Sequence, residues 1–305
     1  MRPWIITTLA LCLAFACAPI QRRKPIQAKP SPQKVSEFSP LKKKIALLPF
    51  YNEAPIGGTQ LGYVATEEFK RELVKSRDFI LDKEAQEIFG DSKEIYSGGG
   101  IKLAQLARKA KMSGVNIVVF GRIKEARIRQ KSDEIGIVQK VKSLAETIIE
   151  VKVYDVLSNK ELFSETLEGS LTDENLKFYQ TEDEDRTEYR MDLLSYSVRN
   201  AIRKFAPKVT KLGSKLDWLG RVAKIIGNKI YVNAGRRSGM NLGDILKVVT
   251  EGQEVYDPES GAMIGLSQGE VKGTLEVIDY FGDDGAICIL HSGGTVTEGD
   301  FVQLY

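Results

Sequence analysis

The side chains of this 305-residue chain best suited to nucleophilic or metal chemistry are few: Cys12, Cys17, Cys288 and His291. A hydrolytic triad or a zinc site needs several such groups brought together. The one histidine in the sequence, His291, cannot make a histidine metal cluster, and with only Cys288 nearby it has no triad to join. Cys288 and His291 are three residues apart in a strand-like run, and that spacing sends them to opposite faces. Cys288 sits between Ile287 and Ile289 and reads as a small buried hydrophobe. No Walker loop or dinucleotide fingerprint occurs. Gly98-Gly99-Gly100 could offer backbone N–H groups to an anion. With no Lys-Ser/Thr after it, the triplet reads as a flexible loop. Glu182-Asp183-Glu184-Asp185 could attract a cation, but reads as the complement of a helix N-terminus. The expectation is no catalytic residue, no cofactor, no metal and no enzyme activity.

Cys17 has other chemistry open to it. Arg2 gives a short positive start, and residues 3–16 form an uncharged, mostly apolar stretch of fourteen. That is too short to cross a hydrocarbon core of ~30 Å, but suits an export signal. Ala14 and Ala16 place small side chains at −3 and −1 of a cut before Cys17. The pattern resembles the bacterial lipobox. That resemblance implies a thiol that takes a diacylglycerol, becomes the new N-terminus and carries fatty acids such as palmitate. Plain secretory cleavage after Ala16 is the alternative. Three acyl chains would exceed the single chain that gives only marginal binding. Ala18, where inner-membrane retention would resemble Asp, implies sorting to the periplasmic face of the outer membrane.

Residues 17–43 read as a tether. Pro19, Pro25, Pro30, Pro32 and Pro40 stiffen it, and basic residues from Arg22 to Lys43 leave little to bury. The charge is uneven. Residues 1–41 carry six Lys/Arg and one acid, whereas 216–305 carry seven Lys/Arg and thirteen acids. This split argues for separate modules and against nucleic acid, which wants one concentrated basic face.

Two folded domains follow, 44–208 and 216–305. In the first, Lys44 to Phe50 is an apolar run that reads as a buried strand. Leu61, Ala65, Phe69 and Leu73 form a helical stripe, with Thr59 as its expected N-cap. Leu103, Leu106, Ala107 and Ala110 mark a second helix. Val115 to Phe120 is a strand that Gly121 lets run on, and 145–157 alternates as another. A third helix runs from Asp185 to Phe205, and Pro207 should stop it. The order predicts an α/β sandwich with a mixed sheet, the first part of an α+β chain. In the second domain, Gly227-Asn228 between apolar runs signals a hairpin. Asp257-Pro258-Glu259-Ser260-Gly261 signals a turn. About six short strands imply a small β-barrel.

The run Ile45-Ala46-Leu47-Leu48-Pro49-Phe50, with Val115 to Gly121, resembles the N-terminal domain of TolB and the curli secretion subunit. Val232-Asn233-Ala234-Gly235, Gly239 to Asp244 and Asp257-Pro258 with Gly261 resemble the SH3-like C-terminal domain of the flagellar assembly protein T family. That resemblance implies a structural or assembly component of an envelope machine, such as a flagellar basal-body ring. Its partners would be outer-membrane lipid through Cys17 and envelope or flagellar proteins, with a homo-oligomeric ring among its forms. Two alternatives remain: a curli-type secretion channel subunit, or a lipoprotein activator of cell-wall synthases. The hairpin segment 122–147 holds seven basic residues. It does not read as the sustained apolar face that a lipid-facing strand needs.

Overall fold

The computed structural model describes residues 41–133, 140–172, 187–261, 263–267 and 269–305. The leader, Cys17, nearly all of the tether and the acidic run 182–185 lie outside the described residues. The first part holds β1 (Lys43–Leu47), β2 (Tyr51–Asn52), α1 (Gly58–Val74), β3 (Phe79–Leu81), α2 (Ala85–Phe89) and α3 (Ser92–Ser113). It continues with β4 (Ile117–Asp133), β5 (Lys140–Asp155), β6 (Lys160–Thr172) and α4 (Thr187–Gly213). Its sheet runs β3-β1-β4-β5-β6, with β2 beside β4. β1 is parallel to β3 and β4, while β4, β5 and β6 are antiparallel, so the sheet is mixed.

Alternation along β1 explains its unbroken apolar run. Ile45 and Leu47 join Phe69, Ile149, Leu193 and Phe205 in a core under α1 and α4. Ala46 and Leu48 face the other way and join Phe89, Leu106, Val118 and Phe120 under α2 and α3. A strand covered on both faces reads as a near-continuous apolar run.

The second part is a closed barrel. Its strands are β7 (Gly220–Ile226), β8 (Lys229–Val232), β9 (Ile245–Val249), β12 (Val271–Phe281), β13 (Gly285–Gly293) and β14 (Phe301–Leu304). They close antiparallel in the order β12-β13-β8-β7-β14-β9. β10 (Glu254–Tyr256) and β11 (Met263–Leu266) form a separate hairpin. Gly227 takes φ 62 in the two-residue turn between β7 and β8, where a Cβ would strain the backbone. The Asp257 turn is also found: its Oδ1 accepts from the N–H groups of Glu259 and Ser260. The mixed-sheet α/β part followed by a small barrel agrees with the sequence reading.

Several elements differ from that reading. Gly98-Gly99-Gly100 is not a loop but lies inside α3. Each glycine costs about 1 kcal/mol in a helix. Caps at both ends and an apolar face offset this. The Asp91 side chain accepts from the N–H of Glu94, and Gly114 ends the helix at φ 69. Ile95, Leu106, Ala107 and Ala110 are buried. Pro207 does not stop α4, which continues to Gly213. Ala206 and Val209 extend its buried stripe past the proline, and this packing outweighs the lost hydrogen bond. Thr59 is not the cap of α1; Gly57 holds that position at φ 83, with no side-chain cap bond.

β6 is an added strand. Phe163, Leu167 and Leu171 pack on the α4 core at a spacing of four, which imitates a helix. On that same face Glu165 pairs with Lys208 of α4. Gly169 lets the helix approach: a Cβ there would stand 2.0 Å from the Ser197 carbonyl oxygen and 2.9 Å from Ala201 Cβ. Gly169→Ala should therefore lower stability by about 1–3 kcal/mol, the range for overpacking. Urea unfolding reads this directly, and an unchanged midpoint would mean that α4 can back away from β6 at no cost.

Candidate functional site

Cys17 lies outside the described residues, but the chain after it can be followed from Leu41 on. Leu41 is 2% exposed and packs in the barrel core with Trp218, Val222 and Met240. Lys42 N–H donates to the Ser238 carbonyl at 2.8 Å, and Lys43 N–H donates to the Asp78 carbonyl at 2.9 Å. Leu41 to Lys43 thus bridge barrel and sheet rather than belonging to a free tether. Lys43 is itself buried. Burial lowers its pKa, against the pull of Asp78 and Asp217 in the other direction.

Barrel and sheet meet through a sealed seam. The Asn116 side chain accepts from Lys44 N–H at 2.9 Å and donates to the Leu219 carbonyl at 2.8 Å. Leu157 packs on Leu219, Val249 and Phe301. A cleft there is lined by Asn116, Asp155, Asp217 and Arg221, with a cavity volume of about 20 Å³. That is room for about one water, far below the volume of an ordinary ligand pocket.

The other chemical candidates do not come together. Cys288 is fully buried in the barrel core, and burial pushes its thiol pKa up to about 12. His291 is exposed, with Nδ1 3.8 Å from Glu276 Oε2. They lie on opposite faces, as the spacing predicts. Among the described residues no group of His, Cys, Asp and Glu is arranged to hold a metal. Sequence reasoning passed over Glu68, which is fully buried between Arg71 and Arg203 at 3.0 and 2.8 Å. It ties α1 to α4 and is a structural pair. The signal was present, because Glu68 adjoins the buried Phe69 of the helical stripe.

A polar, ion-paired surface lies on the face of β4, β5 and β6 that α2 and α3 leave open. Arg122 Nε donates to Glu150 at 2.7 Å, and its Nη1 donates to Glu53 at 3.1 Å. Its guanidinium lies over the Tyr96 ring, 4.5 Å from the centroid. Burial works against the Arg122 charge, but Glu150 and Glu53 outweigh it and raise the pKa. Burial, and then Glu150, raise that of Tyr96. Further along, Arg127 and Arg129 converge on Glu146 at 2.7 and 3.2 Å. Lys152 pairs with Glu161 at 3.0 Å. On the opposite face of the same strands, Ile123, Ala126, Ala145 and Ile149 are buried against the helices. Within 122–147 the described inward positions mix Ile123, Ala126 and Ala145 with buried Ser143 and Thr147, and they look into the protein core.

No family model and no curated protein matches this chain. Solved structures match parts of it at low identity. The hypothetical protein CT253 from Chlamydia trachomatis is 18% identical, with a TM-score of 0.38, covering 56% of this chain and 98% of that one. The lipoprotein GNA1162 from Neisseria meningitidis is 14% identical, with a TM-score of 0.27, covering 54% and 99%. A minor lipoprotein from Acinetobacter baumannii is 16% identical, with a TM-score of 0.27, covering 56% and 92%. Likenesses this distant carry no argument, and the reading below rests on the chain's own residues.

One ion pair of the barrel contributes to its stability against acid. Lys272 Nζ donates to both Asp300 oxygens at 2.7 and 2.8 Å, and Thr297 N–H donates to Oδ2. Burial alone would raise the Asp300 pKa, but these hydrogen bonds and the Lys272 charge lower it. A carboxylate with a lowered folded pKa stabilises above its unfolded value, near 4, and loses that stabilisation as pH falls through the folded value. Unfolding midpoints should therefore fall below about pH 4. In Lys272→Met that fall should be shallower. Identical acid profiles for the two proteins would refute the assignment.

Proposed function

We propose that this chain is an exported lipoprotein, acylated at Cys17 and held at the periplasmic face of the outer membrane. There it acts without catalysis, as a structural or assembly component of an envelope machine. What supports this reading most is the grip on Leu41 to Lys43. The chain that follows the lipobox-like Cys17 is plugged into the barrel core and then becomes the central sheet. A pull on the anchor is thereby passed to both folded parts at once. The exposed features suit protein contact more than catalysis: a broad ion-paired sheet face and a partly apolar, exposed hairpin, beside a cleft sized for one water. The flagellar form of the reading draws on the likeness of the barrel segment to the flagellar assembly family. The curli-type channel is less favoured, because the inward face of the β4–β5 hairpin is occupied by α1 and α4.

The test combines chemistry and genetics. Intact-mass analysis of the mature protein should find Cys17 as the N-terminal residue, bearing acyl chains. Deletion of the gene should disturb one envelope assembly, with motility, fibre secretion and wall synthesis scored in parallel. An unmodified Cys17, or normal behaviour in all three assays, would overturn the proposal.

A further inference from the structure

The barrel strands β9 and β12 do not stop where the barrel closes. Their ladder runs on through the bond from Thr250 N–H to the Glu270 carbonyl and that from Ser267 N–H to the Gln253 carbonyl. It ends in β10 and β11, which among the described residues pair only with each other. This arm is acidic: 251–270 contains Glu251, Glu254, Asp257, Glu259 and Glu270 and no Lys or Arg. It also exposes large apolar side chains, with Val255 at 42%, Tyr256 at 52% and Ile264 at 60%. Two strands with nothing to cover are marginal by themselves. Lys160 Nζ, donating to the Ile264 carbonyl at 2.8 Å, and Lys111, paired with Glu251 at 2.6 Å, hold the arm to the body.

A complementary edge lies elsewhere. β2 covers β4 only as far as the pair Asn52 and Ile123. From Glu125 to Asp133, β5 alone pairs with β4 among the described residues, so the other edge is open. This stretch carries Arg127, Arg129 and Lys131 against Glu125 and Asp133, with Lys124 just before it, and Arg127 and Arg129 share Glu146 of β5. Lys124 and Arg129 are exposed. The two edges are far apart within one molecule. The arm is tied to Lys160, which pairs with Asp155 opposite Ile117, at the barrel end of the sheet. The open edge starts eight residues further along β4, roughly 26 Å away at the rise of a strand, with β5 between. Arm and edge can therefore meet only between molecules.

We propose that the acidic β10–β11 arm of one copy adds as a strand to the basic open edge of β4 in a second copy. Main-chain bonds would supply the pairing and opposite charge the orientation. The contact is head-to-tail, so every joined copy still offers one free arm and one free edge, and assembly continues until a ring closes. This goes beyond the anchoring role and does not depend on the lipid.

The test uses the full mature chain in detergent, whether or not it is acylated, followed by sedimentation velocity. Species of at least twice the monomer mass are expected at low salt, dissociating at high salt. Reversal of the arm in Glu259→Lys with Glu270→Lys should weaken self-association at least tenfold. Lys124→Glu with Lys131→Glu should do the same at the edge. Mixing the two reversed proteins should restore association, and unchanged circular dichroism shows that both are folded. Ile264→Cys in one tagged copy should crosslink to Arg129→Cys in another. A monomer at low salt, association that ignores both reversals, or crosslinks from Ile264 to a foreign basic protein and never to β4 would overturn the proposal. Each of these results leaves the acylation test at Cys17 standing.

Discussion

Cys17→Ser should produce a polypeptide that carries no acyl chain, and the chain cut after Ala16 should leave the membrane fraction. The thiolate is the nucleophile that accepts a diacylglyceryl group, and a serine hydroxyl does not ionise in its place. Each buried CH₂ of a lipid contributes about 0.8 kcal/mol to membrane affinity, so losing the whole anchor is the largest single effect available in this chain. Among the described residues no helix is long and apolar enough to cross a membrane. Labelled palmitate and fractionation of washed membranes read the result. Variant protein that stays with the membranes after high-salt and carbonate washing would sink the anchor at Cys17. The unfolding midpoint should not change, since among the described residues the first one gripped is Leu41.

The second large effect is on stability. Phe205→Ala should cost about 3–5 kcal/mol, the usual range for removing a buried aromatic ring. Phe205 is fully buried in the middle of α4. Its ring meets Phe163 of β6 edge-on, with centroids 6.4 Å apart. Truncation therefore opens a cavity between the last helix and the edge strand and loses an aromatic pair. Phe205→Leu refills most of that volume and should cost clearly less. Guanidinium unfolding monitored by Trp218 and by far-ultraviolet dichroism measures both. A cost below about 1 kcal/mol for the alanine variant would mean that α4 does not seal this core.

Sequence periodicity located the elements whose burial is one-sided or complete. The stripe Leu61, Ala65, Phe69 and Leu73 gave α1, and the apolar runs at Ile45 and Ile117 gave the central strands. Gly227-Asn228 and the Asp257 turn were readable because a tight turn restricts its residues locally. The absence of a second histidine limited imidazole chemistry before any fold was known.

Tertiary contacts decided the rest. β6 was hidden because Glu165 and Gly169 occupy core-side positions where a pattern reader expects apolar residues. Only α4 supplies the lysine and the close approach that make them fit. The glycines of α3 and Pro207 of α4 break helices by local preference, yet burial of neighbouring side chains overrides a cost of a few kcal/mol. The open edge of β4 and the β10–β11 arm were invisible for the same reason. Strand pairing joins residues far apart in sequence, so which edge is left unpaired depends on where every other strand ends.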